Sequence, residues 1–418
     1  MGGYGMTRNS FSHLKNQAIG TGYLRKDGRI GIRNRLLILY TSPCAEFAAR
    51  KISQAFSPNT VEVLGFTRNC TSSFTEMKLK KYLTHPNIGG ALIVSHSSEG
   101  LDSSNLLKEA LLSGRCAALL SLDHNRGIAN SINQGLLLVK DLLASLSVNP
   151  SQPLRFSDLI IGAECGGSDF TSGISANPLV GRLFDMLVDL GSTVLFEEMY
   201  EAVGLKDYLI SRCQTAEAAR EISCTYDKFL KYSKEHNQFF ITPGNMKGGL
   251  TTIEEKSMGT VSKSGSRPIQ GVVKIGQIPK KPGLWLMDSM SDTEEGCGPY
   301  ISEDATSLLV YPCCGTILNI LTSGRGHLIN TPVTPTLKIT GNRETYSRLS
   351  NDIDFDASPM LYGEKNPDEL ADALLELVLQ TINGQLSKGE ALGHRDGFIN
   401  HEKQFSQIAP YTGGIIYG

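Results

Sequence analysis

Five side chains able to carry chemistry, Cys165, Ser168, Asp169, Ser172 and Asn177, fall inside one 23-residue stretch, LIIGAECGGSDFTSGISANPLVG (residues 159–181). The apolar residues 159–161 read as a buried parallel strand, and residues 162–176 are almost all small or polar. A helix is expected from Asn177-Pro178, since proline suits a first helical position. Helix N-termini offer free N–H groups to anions, and open α/β sheets collect ligands beyond the carboxyl ends of their strands. The plainer alternative is a glycine-rich turn with incidental polar residues.

Three further stretches share this character. A strand at residues 193–196 ends in Glu197-Glu198; such a pair could bind a metal, act as acid and base, or simply favour the start of the next helix. TPGNMKGGLTTIEEKSMG (residues 242–259) offers Asn245 and Lys256 among glycines that let backbone approach a ligand. Thr252 and Glu255 have capping-box spacing, which gives Glu255 a local task. Lys256 reads as a base with a lowered pKa, as a cation for a substrate carboxylate, or as a solvated surface residue. In TSGRG (residues 322–326), Arg325 sits between glycines, as suits a two-pronged grip on a carboxylate or phosphate. The strand before Gly341-Asn342 contributes Lys338.

The elements that must position these groups alternate. Strands are expected at residues 36–40, 61–65, 91–94 and 117–122, with helices at 44–56, 74–83, 103–112 and 129–146 between and after them. Polar residues close several of these strands: Cys44, Asn69-Cys70, His96 to Glu99, and Asp123-His124. After a linker at residues 150–153 the pattern restarts, with later strands at 283–287 and 307–311 and a closing helix at 367–383. Short apolar strands alternating with amphipathic helices predict an α/β protein with two doubly wound, mostly parallel-sheet domains. The boundaries read as a lead at 1–22, a first domain at 23–150, a catalytic domain at 154–400 and a tail at 401–418.

Bulk properties narrow the function. A chain of 418 residues exceeds the roughly 250–300 at which single cores tend to divide. A net charge of −2 argues against nucleic-acid or anionic-membrane binding. No apolar run nears the roughly 18 residues of a membrane span, and the first residues lack the apolar core of a signal peptide, so a cytoplasmic protein is expected. Nine scattered cysteines are unlike a disulfide framework. There is no CxxC or HxxxH pair, so a metal would have to be assembled from distant segments; no Walker motif or GxGxxG after a strand supports nucleotide chemistry.

YLRKDGRIGIRN (residues 23–34), GAECGGSDFTSGISANPLVG, TPGNMKGGLTTIEEKSMG and TSGRG together resemble the altronate/galactarate dehydratase family, in the order that family shows them. The resemblance implies a lyase that dehydrates a sugar acid to a 2-keto-3-deoxy acid with Fe2+ or, alternatively, Mn2+; an iron–sulfur cluster on the cysteines is a further alternative. It also implies a large, catalytic-type subunit with a separately encoded small partner that helps bind substrate, and a homo-oligomer. A related branch expels sulfite from sulfolactate, and a non-catalytic binding homologue is a third reading. On this likeness Lys256, Glu198 and Asp169 are expected to be catalytic. Arg325, Ser168, Ser172, Asn177, Asn245 and Lys338 would bind substrate, and Cys165, Cys70, Cys44 and Glu99 would hold metal. The chain departs from the family at three places: FTRNC (residues 66–70) replaces an HxxGC-like run, SSE (residues 97–99) replaces GCE, and the acidic stretch at residues 288–295, with Cys297 nearby, also deviates. His96 is available where those groups are lost.

Overall fold

Residues 20–31 already show how the chain departs from simple alternation. The computed structural model describes residues 14–65, 73–96, 101–125, 127–146, 151–235, 241–290 and 304–397. Strand β1 (Gly20–Leu24) turns back on β2 (Ile30–Gly31), and β1 also pairs antiparallel with β7 (Ser151–Leu154). The segment read as a linker is therefore largely a strand. Its Pro153 is tolerated because β7 is an edge, where a missing N–H breaks no ladder.

Between these lies the first parallel sheet, built from β3 (Arg35–Tyr40), β4 (Val61–Gly65), β5 (Ile88–Ser95) and β6 (Cys116–Ser121) in the order β4-β3-β5-β6. Its helices are α1 (Pro43–Ser53), α2 (Ser73–Leu83), α3 (Ser103–Leu112) and α4 (Ile128–Leu146). Strand alternation divides the residues of β3 between two faces. Leu36, Ile38 and Tyr40 pack on α1 and α4, whereas Leu37 and Leu39 pack on α2 and α3.

The second sheet has seven strands: β8 (Ile160–Cys165), β9 (Thr193–Phe196), β10 (Ile269–Lys274), β11 (Gly283–Asp288), β12 (Leu318–Ser323), β13 (Thr336–Thr340) and β14 (Phe355–Asp356). Every pairing is parallel, in the order β10-β11-β9-β8-β12-β13-β14. The chain leaves β8 on one side toward β9, then crosses back after β11 to β12 on the other. β8 thus stands at the topological switch, where such sheets open a crevice beyond their carboxyl ends. Helices α5 (Asn177–Asp189), α6 (Ala216–Glu235), α7 (Ile253–Ser262), α8 (Asp304–Val310) and α9 (Pro367–Ile382) surround it. Ile161, Val194, Phe196 and Leu284 bury against α5, α6 and α9. On the other face Leu195, Trp285, Met287 and Tyr311 enter the same core as Leu37, Leu39 and α2, so the two sheets share an interior.

One expected strand, residues 307–311, is instead α8 running into a short 3-10 turn, Tyr311–Cys314. A short apolar run has no periodicity that separates the two choices. Tertiary packing decides here: the Tyr311 hydroxyl donates to the Ala163 carbonyl at 2.7 Å, and its ring lies over Gly162, where a Cβ would come within 2.7 Å of it. The basic motif at residues 23–34 is structural. Arg33 makes two 3.0 Å bonds to Glu390, Arg35 bridges Glu62 and Glu390, and Arg395 closes the cluster on Glu62 at 2.9 Å. No helix among the described residues is long and apolar enough to cross a membrane.

A candidate active site at the end of β8

β8 ends in Cys165, and the loop after it is shaped by residues without side chains. Gly167 takes φ 61°, a left-handed turn that favours glycine. A Cβ on Gly166 would stand 2.6 Å from Asp304 Oδ2 and 2.8 Å from the His327 ring. Ser168 then returns its hydroxyl to 3.5 Å from Cys165 Sγ.

The second contribution comes from the end of β9. Alternation sends Glu197 to the α8 face, where it accepts from Ser289 and Ser307. Glu198 has φ 66° and ψ 37°, a conformation costly for a residue with a side chain. That turn brings Glu198 and Glu201 to the Cys165 side. The Cys165 thiol donates to Glu198 Oε1 at 2.7 Å, and the other Glu198 oxygen pairs with the buried ammonium of Lys263.

Helix α7 supplies the third. The capping box of Thr252 and Glu255 forms as expected and fixes where the helix begins. Lys256, Thr260 and Lys263 follow at spacings of four and three, on one face. Lys256 Nζ lies 2.7 Å from Glu201 Oε2, 3.3 Å from Ser168 Oγ and 3.8 Å from Cys165 Sγ; Thr260 also donates to Glu201 at 2.7 Å. Burial works against the Lys256 charge, but the neighbouring Cys165 and Glu201 outweigh it and hold the ammonium above its usual range. A small cavity lined by Ser168, Ser172, Asn177, Lys256 and Thr260 lies beside the group. The larger grooves, one along β10 and α6 and one along α5 and α9, hold no part of it.

Cys165, Glu198 and Glu201 present one ligand atom each, all within 4.8 Å of one another and all buried. This donor set fits a divalent cation: a thiol with two carboxylates suits a borderline metal. The surroundings fit too. Glu164, Glu197 and Asp304 add carboxylates against the two lysines, and Glu164 Oε2 is buried with no hydrogen-bond partner among the described residues. Burial, together with the nearby Glu197, pushes Glu164 well above the usual carboxylate range, and burial raises Glu197 to about 7.

The other expected site residues divide into those brought here and those not. Asp169 accepts from Thr171 Oγ1 at 2.6 Å, from the Ser172 N–H at 3.0 Å and from Asn342 Nδ2 at 3.0 Å. Its carboxylate thus holds the start of the helical turns that begin at residue 170 and run through the π-helix Ser172–Ala176 into α5, ahead of the start expected at Asn177. Ser172 donates to the Asp169 carbonyl, Asn177 ties Thr322 to Gly259, and Asn245 donates to the Ser168 carbonyl at 3.1 Å. Arg325 is exposed at the mouth, packed against Gly244 and Gly248, with its N–H donated to the Gly167 carbonyl at 3.0 Å. Lys338 is buried within β13, its Nζ 3.5 Å from the Leu328 carbonyl and outside the Cys165 group. Cys44 is exposed in the first turn of α1 and is not brought to Cys165; His96 stands 3.6 Å from Asp123 on the first sheet. Cys70 and Glu99 lie outside the described residues. Glu201, Thr260, Lys263, Asp304 and His327 were not anticipated. The helical spacing of residues 256, 260 and 263 after a capping box was the available signal for two of them.

Residues 156–404, more than half of the chain, match the family model described as D-galactarate/altronate dehydratase, C-terminal. Residues 22–147 match the D-galactarate dehydratase/altronate hydrolase second domain. The protein is an α/β lyase. It belongs to the galactarate/altronate dehydratase family. Among its relatives, the (2R)-sulfolactate sulfo-lyase subunit beta of Chromohalobacter salexigens is 28% identical, over 90% of this chain and 95% of that one. Altronate dehydratase of Bacillus subtilis is 29% identical over 94% of this chain and 78% of its own, and that of Escherichia coli 28% over 94% and 77%.

Proposed function

We propose that this lyase dehydrates a sugar acid to a 2-keto-3-deoxy acid at the end of β8, with a divalent cation, Fe2+ by preference, held by Cys165, Glu198 and Glu201. The observation that carries the reading is that buried thiol–carboxylate group, set against Lys256 at the switch point of a dehydratase-family fold. A hydrogen beside a carboxylate is poorly acidic, and a bound cation would supply charge to stabilise the enolate and ease departure of the hydroxyl. The chain's own groups do the rest. Lys256 acts as a fixed positive charge rather than as a base, since Glu201, Ser168 and Cys165 already surround its nitrogen. Ser168 orients a substrate oxygen, Arg325 meets the carboxylate at the mouth, and Asp169 holds the loop in shape.

The sulfolactate relative, matched over 95% of its length, favours a second reading in which the leaving group is sulfite. That relative is named as a subunit, and a separately encoded small partner is part of the proposal for this chain. The test is a panel of hydroxy acids, including altronate, galactarate and sulfolactate, incubated anaerobically with and without Fe(II). Release of 2-keto acid and of sulfite is followed in parallel. Iron-dependent keto acid without sulfite is the expected result; no keto acid from any substrate rejects a lyase acting on these acids.

A further inference from the structure

We propose that Asp304, oriented by His327, is the group that takes the proton from the carbon next to the substrate carboxylate; the assignment rests on the dehydratase reading above. The other acids of the centre are committed or sealed: Glu164, whose Oε2 has no hydrogen-bond partner among the described residues, is only 1% exposed. Glu198 is held by Cys165 and Lys263, Glu201 by Lys256 and Thr260, Glu197 by Ser289 and Ser307, and Asp169 by its own loop. Those carboxylates are also nearly sealed from the crevice, whereas the Asp304 side chain keeps 31% of its surface exposed. A proton acceptor must reach substrate; Asp304 is the partly exposed acid among these carboxylates, and Glu255, which lines the neighbouring cavity, is occupied in capping α7.

Its placement is specific. Asp304 opens α8 and leans over Gly166, the residue next to Cys165, at a distance that leaves no room for a Cβ there. His327 is fixed behind it. Ser323 Oγ accepts the His327 backbone N–H at 2.9 Å, and the Ile329 N–H donates to His327 Nδ1 at 3.4 Å. With Nδ1 accepting, the neutral ring carries its proton on Nε2, which faces Asp304 Oδ2 at 3.7 Å. Such contacts are often long before substrate binds. Charges reaching Asp304 come from Glu201, Lys256 and His327; those reaching His327 come from Asp304, Lys338, Asp396 and Arg325.

In the step, the C2–H bond breaks and its proton passes to Asp304. The electron pair forms the C2–C3 double bond as the C3–O bond breaks, and the departing hydroxide takes a proton from solvent to leave as water. The enol then gains a solvent proton at C3 and loses the proton of its C2 hydroxyl to solvent, becoming the 2-keto acid, while Asp304 returns its proton to solvent. No oxidant or reductant is needed.

The experiment compares wild-type protein with Asp304→Asn, Asp304→Glu and His327→Gln on the best hydroxy acid of the panel, with metal content measured throughout. Asp304→Asn should lower kcat by about 10²–10⁴, the usual contribution of a positioned base, with KM little changed and metal retained. Asp304→Glu should recover part of that loss. His327→Gln should lower kcat without raising KM and displace one limb of the pH profile of kcat/KM, which a merely structural role would not do. An Asp304→Asn protein keeping more than about a tenth of kcat, or an unmoved profile in His327→Gln, overturns the assignment while leaving the dehydratase reading intact. A wild-type protein inactive on the whole panel overturns both.

Discussion

Lys263 shows how a single residue far from the crevice mouth sets the chemistry. It is fully buried and paired with Glu198, whose left-handed backbone already strains to face Cys165. Removing one partner of a buried pair leaves the other uncompensated, at a cost of about 3–5 kcal/mol. Lys263→Met should therefore lose stability on that scale in urea melts. A divalent cation should restore part of it, by replacing the missing positive charge beside Glu198; the same titration on wild type gives the reference. At this scale the sequence was only partly legible. Cys165, Ser168, Glu198 and Lys256 lie in stretches whose composition marks them, and the chain brings them together. Glu201 and His327 follow marked stretches by a few residues, but nothing in their spacing separates them from loop residues. Asp169 and Asn177 stood out as polar groups in a glycine-rich run; which of them point inward to hold the loop depends on neighbours such as Asn342 and Thr322, far off in the chain.

Among elements, α7 carries the most consequence. Its start is written in Thr252 and Glu255, and its face of Lys256, Thr260 and Lys263 follows from where it starts. Thr252→Ala removes the cap from the N-terminus and should cost about 1 kcal/mol, typical of such losses. Because Lys256 stands one turn further on, a fall in activity larger than the fall in melting temperature suggests is the expected outcome of assaying the variant. Elements with a clear period or cap were readable in this way: α3, α4 and α9 fall where apolar spacing puts them. The helix at residues 304–310 and the strand β7 were not, for opposite reasons. The first is too short to show a period, and the second carries a proline that argues for a loop until its antiparallel partner 130 residues earlier is known: Gly20 stands opposite Leu154 and Tyr23 opposite Ser151.

For the whole molecule, acid is the expected weakness. Glu390 is held down to about 2: burial opposes this, but the hydrogen bond from Arg33 and the charges of Arg35 and Arg33 outweigh it. Its stabilisation is complete above the ordinary value of 4.5 and is lost as pH falls toward 2. Burial lowers His85 to about 3; its Nε2 faces the Thr316 carbonyl at 2.9 Å and its Nδ1 accepts from the Asn87 N–H. An unfolded histidine takes up a proton from about pH 6.5 downward while the folded one does not, so this contribution also drains away as pH falls from 6.5 toward 3. Melting temperature should decline in two overlapping stages below pH 6.5. Glu390→Gln should be less stable at pH 7, by roughly 3 kcal/mol from the size of the shift, and should show a flatter profile between pH 4.5 and 2; an unchanged slope there rejects the account.

Because Leu195, Trp285, Met287 and Tyr311 meet Leu37, Leu39 and α2 in one interior, the halves of the chain are not free to swing like jaws. Any hinge between them would wet those side chains at about 25 cal/mol for each Å² uncovered. Substrate traffic is then expected to rely on small local excursions of the loop that bears Arg325 and of the short helix Pro243–Lys247 that bears Asn245, with the scaffold beneath them standing still.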